Sequence, residues 1–145
     1  MNTTVKIGIV GYSGKPFNTT LAQNILKSIL VNLKTKYEDK NIELVSGYTN
    51  IGVPKIAYEI ADDLGITTVG FSAKEALKVD CGLYPVKKEI IIGKHFGDES
   101  KDFIKYIDVL VRIGGGAQSL KEVDLFKKLH AQNDISNILF EEDID

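Results

Sequence analysis

Residues 5–10 read VKIGIV, and this stretch with the loop after it determines how the fold begins. It is mostly apolar and β-branched, which predicts a buried β-strand. Residues 11–16 read GYSGKP, a composition typical of a turn. Apolar side chains then recur at helical spacing from Leu21 to Leu33, and Asn18 or a neighbouring threonine is the expected N-cap. A strand, a glycine loop and a helix in this order predict the first half of a βαβ unit.

The same alternation continues along the chain. Further strands are predicted at residues 42–46, 66–71, 89–92, 108–113 and 137–140. A helix with Pro54 in its first turn is expected to stop at Gly65, and others are predicted at 73–78, 100–106 and 119–130. Such alternation is typical of a mainly parallel sheet with helices on both faces. We therefore predict a single α/β domain over residues 1–145, Rossmann-like and doubly wound, with an acidic tail at 141–145 that is solvated or frayed.

Composition sets limits on the function. The chain has 145 residues, 43% of them hydrophobic and 26% charged, with a formal net charge of -2. This balance gives no reason to expect binding to nucleic acid or to a membrane surface. His95 and His130 are far apart and Cys81 is the single cysteine, so we expect neither a metal site nor a disulfide. No apolar stretch has the length of a signal peptide or a membrane span, and a cytoplasmic location is expected.

The strongest functional signal is the stretch GGGAQSLKE at residues 114–122, directly after the apolar fifth strand. Consecutive glycines let the backbone approach a ligand closely, and the free N–H groups at the start of the next helix favour an anion such as phosphate. Ser119 adds a hydroxyl donor. Glu122 has two interpretations: a functional carboxylate, or the partner of Ser119 in a capping box that satisfies backbone donors.

Two more glycine-bearing loops follow the first and second strands, at the edge where parallel sheets bind ligands. In the first, Ser13 and Lys15 are candidate phosphate or ribose contacts, although a plain turn has a similar composition. In the second, Tyr48 is a candidate to stack on a base and Thr49 to contact phosphate, with an ordinary turn as the alternative. Arg112 either pairs with a carboxylate or reaches the ligand. The candidate ligand-binding residues are Gly11, Tyr12, Ser13, Gly14, Lys15, Gly47, Tyr48, Thr49, Gly114, Gly115, Gly116, Ala117, Gln118 and Ser119.

The three loops together resemble those of the SLOG superfamily and, within it, the LOG family, often described as possible lysine decarboxylases. The resemblance rests on GYSG at residues 11–14, SGYTNIGV at 46–53 and GGGAQSLKE at 114–122, and it spans nearly the whole chain. It implies a Rossmann-like fold with phosphate bound at the third loop. For LOG enzymes it implies cleavage of the N-glycosidic bond of nucleoside 5′-monophosphates. The glutamate of the family motif falls on Glu122, which is thereby the candidate catalytic residue.

The chain also departs from the family pattern. Gly114 replaces the motif's proline, and Gln118 replaces its third glycine. The family's upstream arginine–lysine pair would fall near residues 99–101, where the sequence is ESK. Without that arginine, the departing base or ribose lacks its charge stabilisation.

The sequence therefore favours a protein that binds an AMP-like nucleotide or another phosphorylated small molecule, with no further cofactor required. One alternative is a LOG-type phosphoribohydrolase that uses Glu122. Another is a protein similar to the molybdenum-cofactor carriers of the same superfamily. The resemblance also implies a homodimer.

Overall fold

The computed structural model describes residues 3–13, 16–79 and 82–144 of the chain. The strands in these ranges are β1 (Thr4–Gly11), β2 (Asn41–Ser46), β3 (Thr67–Ser72), β4 (Lys88–Ile91), β5 (Val109–Ile113) and β6 (Leu139–Glu142). The α-helices are α1 (Thr19–Lys36), α2 (Gly52–Leu64), α3 (Ser100–Tyr106) and α4 (Ala117–Leu129). The segment predicted as a helix at 73–78 is a short 3-10 helix, Lys74–Lys78.

All these strands join one parallel sheet in the order β4-β3-β2-β1-β5-β6. The chain builds outward from β1 to β4 on one side and then returns to place β5 on the other side of β1. This reversal creates a topological switch between β1 and β5, where open α/β sheets bind ligands outside the carboxyl ends of their strands. The predicted α/β, doubly wound fold is confirmed.

The sheet is covered on both faces because its central strands carry apolar side chains on both. In β1, Ile7 and Ile9 pack in one cluster with α1 and α2. Val10, on the other face, packs in a second cluster with α3 and α4. Gly8 also points to this second face, where a Cβ would lie 2.6 Å from the Ile107 side chain. The two helix pairs therefore form separate layers on a shared sheet.

Two helix ends follow directly from local sequence signals. Asn18 caps α1, and its Oδ1 accepts a hydrogen bond from the Leu21 N–H at 3.0 Å. Gly65 ends α2 in the left-handed conformation, with φ 72°. Both predicted caps are confirmed.

The acidic C-terminal segment is paired in the sheet rather than frayed, although Glu141, Glu142 and Asp143 remain exposed to solvent. β6 pairs with β5, and Ile144 beyond it is buried in the core. Arg112 of β5 supplies the reason. Its guanidinium donates to Glu141 Oε1 and to Asp143 Oδ1, each at 2.8 Å. It also donates to the Gly114 carbonyl oxygen at 2.9 Å, so of its two interpretations the pairing with carboxylates is the one observed.

Replacing the buried arginine tests this support. We expect Arg112→Met to lower the free energy of unfolding by about 2–3 kcal/mol, because charge-assisted hydrogen bonds to β6 and to the Gly114 loop are lost. Urea unfolding measures the change. The matched control is Asp143→Asn, whose side chain is 91% exposed and whose loss should cost less than about 1 kcal/mol. Equal losses in the two variants would contradict a buried support centred on Arg112.

Candidate functional site

A cleft of about 740 Å³ opens at the carboxyl ends of β1, β2 and β3 and at the loop after β5. Its position is the topological switch of the sheet, and its volume is that of a small-molecule site. Glycines and hydroxyl-bearing side chains line one part of it. Phenylalanine rings and carboxyl groups line another.

Two glycines that line the cleft have no room for a side chain. Gly11, at the end of β1, lies opposite Ile113 of β5, and a Cβ on Gly11 would collide with the Ile113 carbonyl oxygen. Gly115 has φ 101°, and a Cβ there would lie 2.6 Å from Ser119 Oγ. Both positions therefore require glycine, the first for space and the second for backbone conformation as well.

Helix α4 begins at the cleft without a side-chain cap. Gly116 is its N-cap, and the Gly116 carbonyl accepts from the Leu120 N–H at 3.1 Å. The N–H groups of Ala117, Gln118 and Ser119 therefore have no acceptor within the helix, and all these residues line the cleft. No atom lies within 4 Å of the position that a Cβ on Gly116 would take. Backbone donors with open space before them are a site for an anion.

Helix α2 also begins at the cleft but offers fewer donors. Its N-cap, Ile51, makes no side-chain cap bond. The Val53 N–H is already donated to the Tyr12 carbonyl at 2.7 Å, and Pro54 has no N–H. The start of α4 is therefore the stronger anion site of the two.

The cleft brings together most of the residues predicted from sequence. Those that line it are Gly11, Tyr12, Ser13, Gly47, Thr49, Gly115, Gly116, Ala117, Gln118 and Ser119. Gly114 does not line it: a Cβ there would meet the Tyr12 ring, and its N–H donates to the Glu142 carbonyl at 2.8 Å. Gly114 thus shapes the loop. Gly14 and Lys15 lie outside the described residues.

Tyr48 is not brought to the cleft, so its ring is not placed to stack on a base there. The ring packs against Gly70 of β3, and its hydroxyl hydrogen-bonds to Glu89. The backbone of Tyr48 has φ 76°, and its N–H donates to the Tyr58 hydroxyl at 3.1 Å. Tyr58 in turn donates to the Val69 carbonyl at 2.9 Å. This left-handed turn directs the ring to the sheet rather than to a ligand.

Glu122 lines the cleft and is only 6% exposed. It does not take part in a capping box, because Gly116 is the N-cap of α4 and Glu122 lies in the second turn. Burial raises the pKa of Glu122 to about 8, and the negative charge of Glu99 adds to this increase. The Ser100 hydroxyl and Lys121 act in the opposite direction. At neutral pH the group is therefore mostly a neutral acid.

Glu99 is a second buried carboxyl group in the cleft, and sequence reasoning did not assign it to the site. It is 4% exposed, and burial raises its pKa. Its Oε2 accepts from the Gly97 N–H at 3.1 Å, and its Oε1 accepts from the Gln118 amide at 3.5 Å. The available signal was its position, near residues 99–101, where the resemblance to the LOG family implies an arginine–lysine pair.

The apolar wall of the cleft includes Phe71, Phe96 and Phe103. Phe71 and Phe103 are buried and pack edge to face, with ring centroids 5.8 Å apart. Phe96 is 42% exposed. Its backbone is held in place because its N–H donates to Glu75 Oε1 at 3.2 Å. The wall therefore presents one accessible aromatic face to a planar ligand.

Charged side chains in the cleft are acidic. Among the described residues that line it, none is arginine, lysine or histidine. The Arg112 side chain is hydrogen-bonded to Glu141 and Asp143, and Lys101 is not part of the lining. Over the same described ranges, no group of three or more histidine, cysteine or acidic side chains is arranged to hold a metal ion. Nor does this part of the chain contain a helix long and apolar enough to cross a membrane.

The buried acid has a consequence for stability. The folded protein holds the Glu122 proton more tightly than the unfolded chain, whose pKa is near 4.5. The free energy of unfolding therefore falls as pH rises from about 4.5 through the folded pKa of about 8. We expect Glu122→Gln to become more stable relative to the unmodified protein by about 2–4 kcal/mol between pH 5 and pH 8. Denaturant unfolding at both pH values measures this difference, and a constant difference would contradict the assigned pKa.

Comparisons with known proteins find a likeness in three dimensions. No protein-family model matches the chain, and no curated protein matches it significantly. Among solved structures, the molybdenum cofactor binding protein from Rippkaea orientalis is 22% identical with a TM-score of 0.70, over 97% of this chain and 78% of that one. The molybdenum cofactor carrier protein MCP from Chlamydomonas reinhardtii is 19% identical with a TM-score of 0.68, over 97% and 91% of the two chains.

The structure of TM1055 is 23% identical with a TM-score of 0.68, over 87% of this chain and 70% of that one. These three proteins share with this chain the layered α/β architecture that positions the cleft. The chain therefore has the Rossmann-like α/β fold of these proteins.

Proposed function

We propose that this protein binds a phosphorylated small molecule and acts as a carrier for it, with a phosphorylated pterin of the molybdenum-cofactor class as the preferred ligand. The observation that carries the proposal is the uncapped start of α4 at the cleft. The backbone donors of Ala117, Gln118 and Ser119 have no acceptor within the helix there, and open space lies before Gly116. These features fit a phosphate group.

Two further observations support a carrier for this class of ligand. Two solved structures of the same fold are named as a molybdenum cofactor binding protein and a molybdenum cofactor carrier protein. The cleft of about 740 Å³ has room for a ring system together with a phosphate. A nucleoside monophosphate has the same general build, so nucleotides are suitable probes of the phosphate site.

Binding of nucleotides with and without phosphate tests the phosphate site. We expect AMP and GMP to bind at least about tenfold more tightly than adenosine and guanosine, since the nucleosides leave the α4 donors unmet. A ligand present at 100 times its Kd should raise the free energy of unfolding by about 2.7 kcal/mol, which thermal unfolding detects. Equal affinity for nucleotide and nucleoside would contradict a phosphate site.

A matched pair of variants locates the phosphate. Gly116→Ala and Gly47→Ala each place a methyl group in open space on the cleft wall. Only Gly116 is the N-cap of α4, so only its variant should remove the preference for the phosphorylated ligand. Calorimetric titration of AMP and adenosine compares the two. The same effect in both variants would place the phosphate elsewhere.

The proposed cofactor class is tested by measuring whether the purified protein retains molybdenum cofactor. Purified protein is incubated anaerobically with molybdenum cofactor released from a molybdoenzyme, and the pterin that elutes with the protein in gel filtration is measured by fluorescence. We expect near-stoichiometric pterin with the unmodified protein and much less with Gly116→Ala. Nucleotide binding without pterin retention would reassign the protein to nucleotides.

A phosphoribohydrolase is a second candidate, and the buried carboxyl group of Glu122 in the cleft is the observation in its favour. Such an enzyme needs a carboxyl group near the sugar and positive charge to stabilise the transition state. The described cleft lining supplies the carboxyl group but not the positive charge. The balance therefore favours binding over hydrolysis.

Base release decides between the two candidates. AMP and GMP are incubated with the protein, and free adenine or guanine is measured by chromatography. We expect no release above the rate seen with Glu122→Gln. Release that depends on Glu122 would establish the hydrolase.

A further inference from the structure

The cleft holds a second group of polar side chains that phosphate binding leaves without a role. Glu99 and Glu122 both line it and are 4% and 6% exposed. Ser100, next to Glu99 in the chain, is also buried, with 2% of its surface exposed. Carboxyl groups buried in a cleft favour a ligand with complementary hydrogen-bonding groups, because burial without such partners costs free energy.

The two carboxyl groups offer different hydrogen-bonding capacity. Glu122 is protonated at neutral pH, because burial and the charge of Glu99 raise its pKa to about 8. Burial raises the pKa of Glu99, and the hydrogen bonds that it accepts from Gly97 and Gln118 act in the opposite direction. Together they present carboxylate acceptors and one O–H donor.

We propose that Glu99 and Glu122 bind the edge of a 2-amino-4-oxo-pyrimidine ring, the edge that pterins and guanine have in common. This edge carries two adjacent N–H donors, the amino group and a ring N–H, followed by a carbonyl acceptor. The Glu99 carboxylate accepts from both donors, as carboxylates do in bidentate pairs. The Glu122 O–H donates to the ring carbonyl. The inference extends the proposed function, since it specifies the ring that accompanies the phosphate.

The residues that line the cleft with Glu99 and Glu122 suit a planar ring. Phe96 lines the same cleft, is 42% exposed and is held through its backbone N–H by Glu75. Its ring is available to stack on the face of a ligand whose edge is bound by the carboxyl groups. Ser119 and Glu122 are about one helical turn apart, roughly 5 Å along α4. Both residues line the same cleft.

The test uses ring pairs that differ at the 2-amino group and carry no phosphate. Pterin is compared with lumazine, which has an oxygen in place of that amino group, and guanosine is compared with inosine, which lacks it. Calorimetric titration at pH 7 should give at least about tenfold tighter binding for pterin than for lumazine. The guanosine–inosine pair shows whether guanine is accepted as well as pterin.

Variants assign the preference to the carboxyl groups. Glu99→Gln should reduce the pterin-to-lumazine affinity ratio to below about two, whereas Glu122→Ala should weaken both rings, because both carry the carbonyl to which Glu122 donates. Phe96→Ala should weaken both rings and leave their ratio unchanged, and Glu59→Gln, on the exposed side of α2, should change nothing. Thermal unfolding confirms that each variant is folded.

Three outcomes would overturn the inference: equal affinity for pterin and lumazine, no binding of pterin at millimolar concentration, or a pterin-to-lumazine ratio that survives Glu99→Gln. Because these probes carry no phosphate, such outcomes leave the phosphate site untouched. Loss of phosphate binding with a preserved pterin preference would instead refute the proposed phosphate site alone.

Discussion

The backbone contact between the ends of β1 and β5 is the constraint on which the site depends. Gly11 lies opposite Ile113 with no room for a side chain between them, and Gly115 lies against Gly11 in turn. Since both strands end side by side, the loops that follow them meet in one place. The start of α4 is thereby held at the edge of the sheet, and its first residues line the cleft.

The charged side chains near the loop at residues 114–116 form two separate sets. Arg112 supports the loop from the side of β6, where it bonds the Gly114 carbonyl and two carboxylates. Inside the cleft, the described lining has backbone donors and hydroxyl groups for an anion, and its charged side chains are Glu99 and Glu122. A buried carboxyl group with a raised pKa in a cleft is a mark of a functional site. The same burial that makes Glu122 a hydrogen-bond donor at neutral pH also makes stability depend on pH.

Local signals were sufficient for much of the fold. The apolar run at 5–10, the Asn18 cap and the stop at Gly65 predicted elements that the structure contains, because each depends on residues close together in the chain. The pairing of the tail with β5 is not predictable from the acidic run alone, because Arg112, which bonds its side chains, lies about thirty residues earlier. The sequence predicts that the helix begins at Ser119, whereas in the structure Gly116 is the N-cap and α4 begins at Ala117.

The α/β alternation, the glycine loops at the strand ends and the anion-favouring start of a helix can be predicted from the amino-acid sequence, because they depend on periodicity and on the conformational freedom of glycine. The set of residues that share the cleft follows from tertiary contacts. The Tyr48 ring packs against Gly70, Arg112 pairs with Glu141 of β6, and Glu99 and Glu122 line the same cleft. These outcomes depend on contacts between segments distant in the chain and on burial, which sets the protonation of a carboxyl group and which sequence spacing does not reveal.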